Sequence, residues 1–143
     1  MSNRIDFEEV RFLDLFGGTG SHCYECISRG CKDATYVDKF PGCVAFAEKM
    51  SEKLEIQDYM KIHKMNVFTF IKRCESQYDY IFAGPPYPLR NIPEIPDLIF
   101  NQNMLSADGI FVLEHNPNVN VSSHPNYIEQ RNYGQTIFSF FRV

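Results

Sequence analysis

The ten residues RFLDLFGGTG, numbers 11–20, indicate how this chain folds. A short apolar run with one acid, Asp14, is typical of a buried strand, and it leads directly into a glycine turn. Residues 21–29 have helical composition, Ser21 is a suitable N-cap, and Gly30 stops the helix. A strand, a glycine turn and a helix are typical of a nucleotide-type site, because glycines let the backbone approach a ligand and a helix N-terminus offers free N–H groups.

A second stretch, YIFAGPPY at residues 80–87, is another apolar strand that ends in a rigid turn. About one βαβαβ unit separates it from residues 11–20. In a parallel sheet the two strands are therefore predicted to be neighbours that open onto one crevice.

Apolar periodicity alternates between β and α over most of the chain, after a polar lead-in at Met1–Glu9. Strands are predicted at 10–16, 34–38, 59–65, 78–83, 109–114, 127–133 and 135–143, and helices at 21–29, 41–54, 67–74 and 96–103, with a proline-rich loop at 85–96. This order predicts a single α/β domain over residues 1–143, with a doubly wound, mostly parallel seven-stranded sheet and a C-terminal antiparallel hairpin.

Composition narrows the class of protein. The net charge of −4 and pI of about 5.5 give no sign of a strongly basic face. No apolar run is long enough to span a membrane and no signal peptide is visible, so we expect a cytoplasmic protein.

Five cysteines, an odd number, indicate reduced core thiols. The pair Cys23 and Cys26 has no second pair at zinc spacing and the histidines show no metal spacing, so no metal is expected.

Candidate site residues fall at the predicted carboxyl ends of strands: Asp14, the 17–20 turn, Asp38 and the 84–87 turn. Asp38 can accept hydrogen bonds from both hydroxyls of a ribose. A dinucleotide site requires Gly-x-Gly-x-x-Gly, and the third glycine position is Cys23 here, so an NAD-binding oxidoreductase domain is a minor alternative. A site for S-adenosyl-L-methionine (SAM) needs only an open glycine turn and an acid.

The residues DLFGGTG (14–20) and AGPPY (83–87) together resemble the class I SAM-dependent methyltransferases. More closely, the chain resembles the bacterial 16S ribosomal RNA guanine methyltransferase family, which methylates an exocyclic amine. The segments FVLEH (111–115) and RNYGQT (131–136) resemble parts of that family's last three strands. The resemblance implies SAM as cofactor, ribosomal RNA or a small-subunit particle as partner, and a monomer.

By this resemblance, eight residues would bind the cofactor: Asp14, Phe16, Gly18, Gly20, Asp38, Lys39, Asn66 and Val67. The catalytic turn would be Gly84, Pro85, Pro86 and Tyr87, in which the Pro85 carbonyl accepts an amine hydrogen and the Tyr87 ring stacks on the base. The neighbouring Glu114 and His115 are expected to pack and form hydrogen bonds rather than to act as a catalytic pair.

Three departures from the family pattern affect these expectations. Gly84 stands where the family has an aspartate or asparagine, so one side-chain acceptor is missing. Losing such a hydrogen bond typically costs about 3 kcal/mol, or about a hundredfold in rate. Asn66 replaces an acid, and the family's N-terminal β-hairpin is expected to be absent. A catalytically impaired methyltransferase fold that binds SAM or a partner is therefore the alternative.

Overall fold

The structure, a computed structural model, describes residues 6–143. Of the predicted lead-in at Met1–Glu9, residues 1–5 lie outside the described residues. Its remainder forms a single 3-10 turn at Phe7–Glu9, where the Asp6 side chain accepts a hydrogen bond from the Glu8 N–H.

Strands and helices alternate along the described chain as the periodicity predicts. The strands are β1 Arg11–Leu15, β2 Asp33–Asp38, β3 Met60–Lys64, β4 Tyr78–Ala83, β5 Leu105–His115, β6 Tyr127–Tyr133 and β7 Thr136–Phe141. The helices are α1 Ser21–Ser28, α2 Pro41–Lys53, α3 Val67–Arg73 and α4 Ile95–Asn101. Most boundaries lie within one or two residues of the prediction.

Within residues 6–143 the strands form one sheet in the order β3-β2-β1-β4-β5-β7-β6. Strands β1 to β5 run parallel, whereas β7 is antiparallel to both β5 and β6. The predicted doubly wound sheet with a C-terminal antiparallel hairpin is confirmed. Strand β1 lies between β2 and β4, so the two glycine-containing turns are adjacent, as predicted.

The two faces of the sheet carry separate cores, because successive strand residues point to opposite sides. Phe12 packs on the side of α1 and α2 with residues such as Tyr36 and Val44. Leu13 and Leu15 pack on the side of α3 and α4 with residues such as Ile71 and Ile99. The carboxyl ends of the central strands are therefore held rigidly from both faces.

The predicted boundaries of three elements differ from the structure. The N-cap of α1 is Gly20 rather than Ser21, and no side chain caps this helix. Helix α4 begins at Ile95 and ends at Asn101 rather than spanning 96–103. Strand β5 begins at Leu105 rather than Gly109, because the register of its pairing with β4 shifts between Tyr78 and Tyr80 and absorbs the glycine within the strand.

All five cysteines lie within the described part of the chain and are free thiols; four are buried and Cys43 is partly exposed. The core location predicted for the thiols holds for the four buried cysteines and not for Cys43. Over residues 6–143, no group of three or more His, Cys, Asp or Glu side chains is arranged to hold a metal ion. In the same residues no helix has the length and apolar character needed to cross a membrane.

Candidate active site

The turn after β1 is held by backbone hydrogen bonds. The Gly17 N–H donates to the Val37 carbonyl at 3.0 Å, and the Gly20 N–H donates to the Gly17 carbonyl at 2.8 Å. Gly18 and Gly20 have positive φ angles of 55° and 84°, which side chains rarely permit. The Tyr36 hydroxyl donates to the Gly18 carbonyl, so β2 fixes the turn from beneath.

Asp38, the last residue of β2, is joined to this turn. One carboxylate oxygen accepts the Gly18 N–H at 2.9 Å and the other accepts the Phe40 N–H at 3.0 Å. Each oxygen has a second lone-pair direction, so the carboxylate can still accept two hydroxyl donors. The side chain is 6% exposed, which restricts those donors to the cleft beside the turn.

A cleft enclosing about 480 Å³ of empty space, including the part open to solvent, lies at the carboxyl ends of β1 and β2. The lining residues are Phe16, Asp38, Lys39, Phe40, Asn66, Val67, Phe68, Pro86 and Leu89. Five of the eight predicted cofactor residues thus meet in one cleft, whose walls are mainly apolar.

Phe16 forms one wall of the cleft because of an unusual backbone conformation. Its φ is +60°, a value uncommon for a non-glycine residue, and such conformations concentrate at functional sites. The Phe16 ring packs edge-on against Phe68, with 6.1 Å between ring centroids. Asn66 also lines the cleft, but its side-chain oxygen caps α3 by accepting hydrogen bonds from the N–H groups of Phe68 and Thr69.

Asp14, Gly18 and Gly20 are not among the residues that line the cleft. Asp14 is 1% exposed and lies on the α1 face of the sheet, where the Cys23 thiol donates to its carboxyl group. Burial raises the Asp14 pKa to about 8; the Cys23 hydrogen bond lowers it and the Asp38 charge raises it further. At neutral pH this carboxyl group is therefore mainly protonated.

The predicted catalytic turn follows β4 on the other side of β1. The Gly84 N–H donates to the Leu15 carbonyl at 3.2 Å, which joins the two turns directly. Pro85 is buried, whereas Pro86 and Tyr87 are exposed. Among residues 6–143, no donor forms a hydrogen bond with the Pro85 carbonyl. The Tyr87 ring is 37% exposed and free to contact a ligand, rather than buried in the core.

The sequence did not identify three cleft residues, Phe40, Phe68 and Leu89, or the surroundings of Glu114. Phe40 and Phe68 directly follow the predicted pairs 38–39 and 66–67. Extending each pair by one residue would therefore have identified both from the sequence. The Tyr87 hydroxyl lies 3.3 Å from both a Glu114 carboxylate oxygen and the Thr136 hydroxyl.

Glu114 and His115 face opposite sides of β5. His115 is buried and its Nε2 lies 2.8 Å from the Ser139 hydroxyl, which confirms a packing and hydrogen-bonding role for this histidine. Glu114 is close enough to His22, at the start of α1, to influence the pKa of that histidine. Burial lowers the His22 pKa, and the Glu114 carboxylate acts in the opposite direction. The His22 ring packs on Phe82, with 3.9 Å between centroids.

The strand order, the glycine turn tied to the acid that ends β2, and the neighbouring turn after β4 define a class I methyltransferase fold. The chain belongs to the family described as Conserved hypothetical protein 95, whose model matches residues 1–142. The family and the fold that the sequence motifs predicted are both confirmed.

Two curated relatives are similar to this chain. YlbH of Bacillus subtilis, named as a candidate rRNA methyltransferase, is 29% identical over 116 residues, which are 79% of this chain and 63% of YlbH. Ribosomal RNA small subunit methyltransferase D of Buchnera aphidicola is 25% identical over 121 residues, which are 82% of this chain and 61% of the relative. The chain thus spans less than two thirds of the length of either relative.

Solved structures share the fold. A candidate methylase from Haemophilus influenzae superposes with a TM-score of 0.86 at 18% identity, covering 95% of this chain and 88% of that one. An RNA methyltransferase from Salinibacter ruber, solved in complex with S-adenosyl-L-homocysteine, gives a TM-score of 0.73 at 12% identity, covering 94% and 80%. At these identities the likeness concerns the fold.

Proposed function

We propose that this chain carries a SAM-dependent methyltransferase activity whose acceptor is the exocyclic amine of a guanine in 16S ribosomal RNA. The observation that carries the proposal is the junction of two turns at one edge of the sheet. The Gly84 N–H bonds the Leu15 carbonyl, so the turn at 84–87 lies beside the cleft that Phe16 and Asp38 line.

The cleft residues suit SAM. A Cβ built at Gly18 would meet one atom, the Phe16 carbonyl oxygen, at 4.0 Å, so the space above the turn is open. Asp38 would accept the ribose hydroxyls, while Phe16, Val67 and Leu89 would pack around the adenine. The names of the curated relatives and the homocysteine complex of the Salinibacter protein support this assignment. The roles of Asp14, Gly20 and Lys39 toward SAM stay predictions.

When bound, SAM supplies a sulfonium methyl group, so that a nitrogen–carbon bond forms as the carbon–sulfur bond breaks with its electron pair on sulfur, and a proton leaves the nitrogen. The lone pair of an exocyclic amine is delocalised into its base, which makes it a poor nucleophile. Acceptors placed on the amine hydrogens favour a geometry that frees the lone pair. The Pro85 carbonyl would be one acceptor and the Tyr87 ring would stack on the base, which leaves its helical stack to enter the site.

Calorimetric titration with SAM, with S-adenosyl-L-homocysteine and with NAD tests the cofactor. We expect micromolar binding of the first two and weaker binding of NAD. Methyl transfer to the 16S RNA of small-subunit particles then tests the substrate. Binding of neither SAM nor its product would refute the proposal, and tighter binding of NAD would favour an oxidoreductase.

Replacing Asp38 by alanine is expected to weaken binding of S-adenosyl-L-homocysteine at least tenfold. The variant loses two backbone hydrogen bonds, to Gly18 and Phe40, and the acceptor for the ribose hydroxyls. Hydrogen bonds to a charged group contribute about 1.5–3 kcal/mol each. The matched control is Asp58→Ala, an exposed carboxylate outside the cleft. Equal affinities for the two variants, measured by calorimetry, would show that Asp38 does not contact the ligand.

A second candidate function is binding of SAM or a partner without catalysis, because Gly84 carries no side-chain acceptor. It predicts normal SAM affinity with no methylation of any RNA. Measurable turnover by the unmodified protein would exclude it. Association with ribosomal RNA, a cytoplasmic location and a monomeric state remain part of the proposal.

A further inference from the structure

A carboxylate lies beside the space that an aspartate or asparagine at position 84 would use. A Cβ built on Gly84 would lie 3.8 Å from Oε1 of Glu114. One more carbon–carbon and one carbon–oxygen bond would bring a side-chain oxygen at residue 84 into the region of that Glu114 oxygen. The pairing of Ala83 with Leu113 is what sets residues 84 and 114 side by side at the ends of β4 and β5.

The Glu114 carboxylate is held in this position. Its other oxygen, Oε2, lies 3.3 Å from the hydroxyl of Tyr87, the aromatic residue of the same turn. Its backbone is fixed by pairing with Phe138 of β7. Glu114 is only partly buried, so it is not enclosed in the core.

We propose that Glu114 replaces the missing side chain at position 84 as the acceptor for one hydrogen of the substrate's exocyclic amine. The Pro85 carbonyl accepts the other hydrogen, and Glu114 takes up the proton that leaves the nitrogen. Gly84 is then not a sign of lost activity, because the acceptor comes from β5 instead of β4. This inference rests on the proposed function, and it adds a catalytic residue to that function.

The arrangement also explains why a small residue suits position 84. A Cβ there would lie 3.1 Å from Cε1 of Phe82, which is tight, and a longer side chain would meet Glu114. An aspartate beside the Glu114 carboxylate would add repulsion between like charges.

The test compares methyl transfer to small-subunit 16S RNA by the unmodified protein, Glu114→Ala and the double variant Glu114→Ala with Gly84→Asn. We expect Glu114→Ala to lower kcat about tenfold to a hundredfold, with little change in KM for the particle. Adding Gly84→Asn to Glu114→Ala is expected to raise kcat at least tenfold, because the alanine leaves space for the asparagine side chain. Gly84→Asn as a single variant is expected to give no gain in kcat. The exposed-residue control Glu52→Ala should retain full activity.

Two further measurements separate catalysis from a structural role. Melting temperature and affinity for S-adenosyl-L-homocysteine are expected to be unchanged in Glu114→Ala. Full activity in Glu114→Ala would overturn the inference, and so would a loss of stability or cofactor affinity that the added Gly84→Asn substitution does not restore. If the unmodified protein binds the cofactor but methylates no 16S RNA, the proposed function fails first and the role of Glu114 with it.

Discussion

Alanine in place of Gly17 is expected to destabilise the protein by about 3 kcal/mol, the upper part of the usual range for overpacking a core. A Cβ at this position would overlap the ring of Tyr36, closer than real Cβ atoms approach an aromatic carbon. The ring has no room to move, because Tyr36 is fully buried and its hydroxyl bonds the Gly18 carbonyl. The turn would have to shift, and the Gly17 hydrogen bond to Val37 would be strained.

Thermal and urea unfolding measure this effect, with Gly42→Ala as the matched control. Gly42 lies in the first turn of α2, where a Cβ meets nothing within 4 Å, so alanine there is expected to add about 0.5–1 kcal/mol through its helix propensity. In a double-mutant cycle, Gly17→Ala should destabilise the Tyr36→Leu variant less than it destabilises the unmodified protein. Equal stabilities of Gly17→Ala and Gly42→Ala would contradict the close packing of the turn on Tyr36.

The order of the strands and the position of the site could be predicted from the sequence because both depend on local patterns. The alternation of apolar periods indicates a parallel sheet, and residues 11–20 and 80–87 show where two adjacent strands end. Asp38 is predictable for the same reason, since it ends the strand next to β1. Its hydrogen bond to Gly18 is a structural consequence of that adjacency.

What the sequence did not reveal depends on contacts between distant residues. Tyr36 lies beneath Gly17 only through the β1–β2 register, and Glu114 reaches residue 84 only through the β4–β5 register. The β4–β5 register could not be predicted for two reasons. It shifts near Tyr78, and the glycine at position 109 indicates the end of a strand rather than its interior. Burial of Asp14 has the same origin: an acid within an apolar run suggests a ligand, whereas its contact with Cys23 requires α1 to be in place.

The contribution of Asp14 to stability is expected to fall as the pH rises from about 4 to about 8. Burial raises the pKa of this carboxyl group from 3.8 to about 8 in the folded state. Between these values the unfolded chain has lost the proton of Asp14 and the folded protein retains it, so the contribution of Asp14 to the free energy of unfolding decreases by about 1.4 kcal/mol per pH unit. The favourable contribution is fully present below about pH 4 and is lost once the pH exceeds about 8.

Asparagine at position 14 removes this titration while keeping the shape of the side chain. The difference in unfolding free energy between Asp14→Asn and the unmodified protein is expected to shift in favour of the variant by on the order of 4 kcal/mol from about pH 5 to about pH 8. Urea unfolding at a series of pH values measures that difference, and subtracting the two curves removes the titration of all other groups. Asp58→Asn, an exposed aspartate, should leave the curve of the unmodified protein unchanged. Parallel curves for the protein and its Asp14→Asn variant would mean that the buried carboxyl group ionises as it does in the unfolded chain, and therefore that water or a charged partner reaches it.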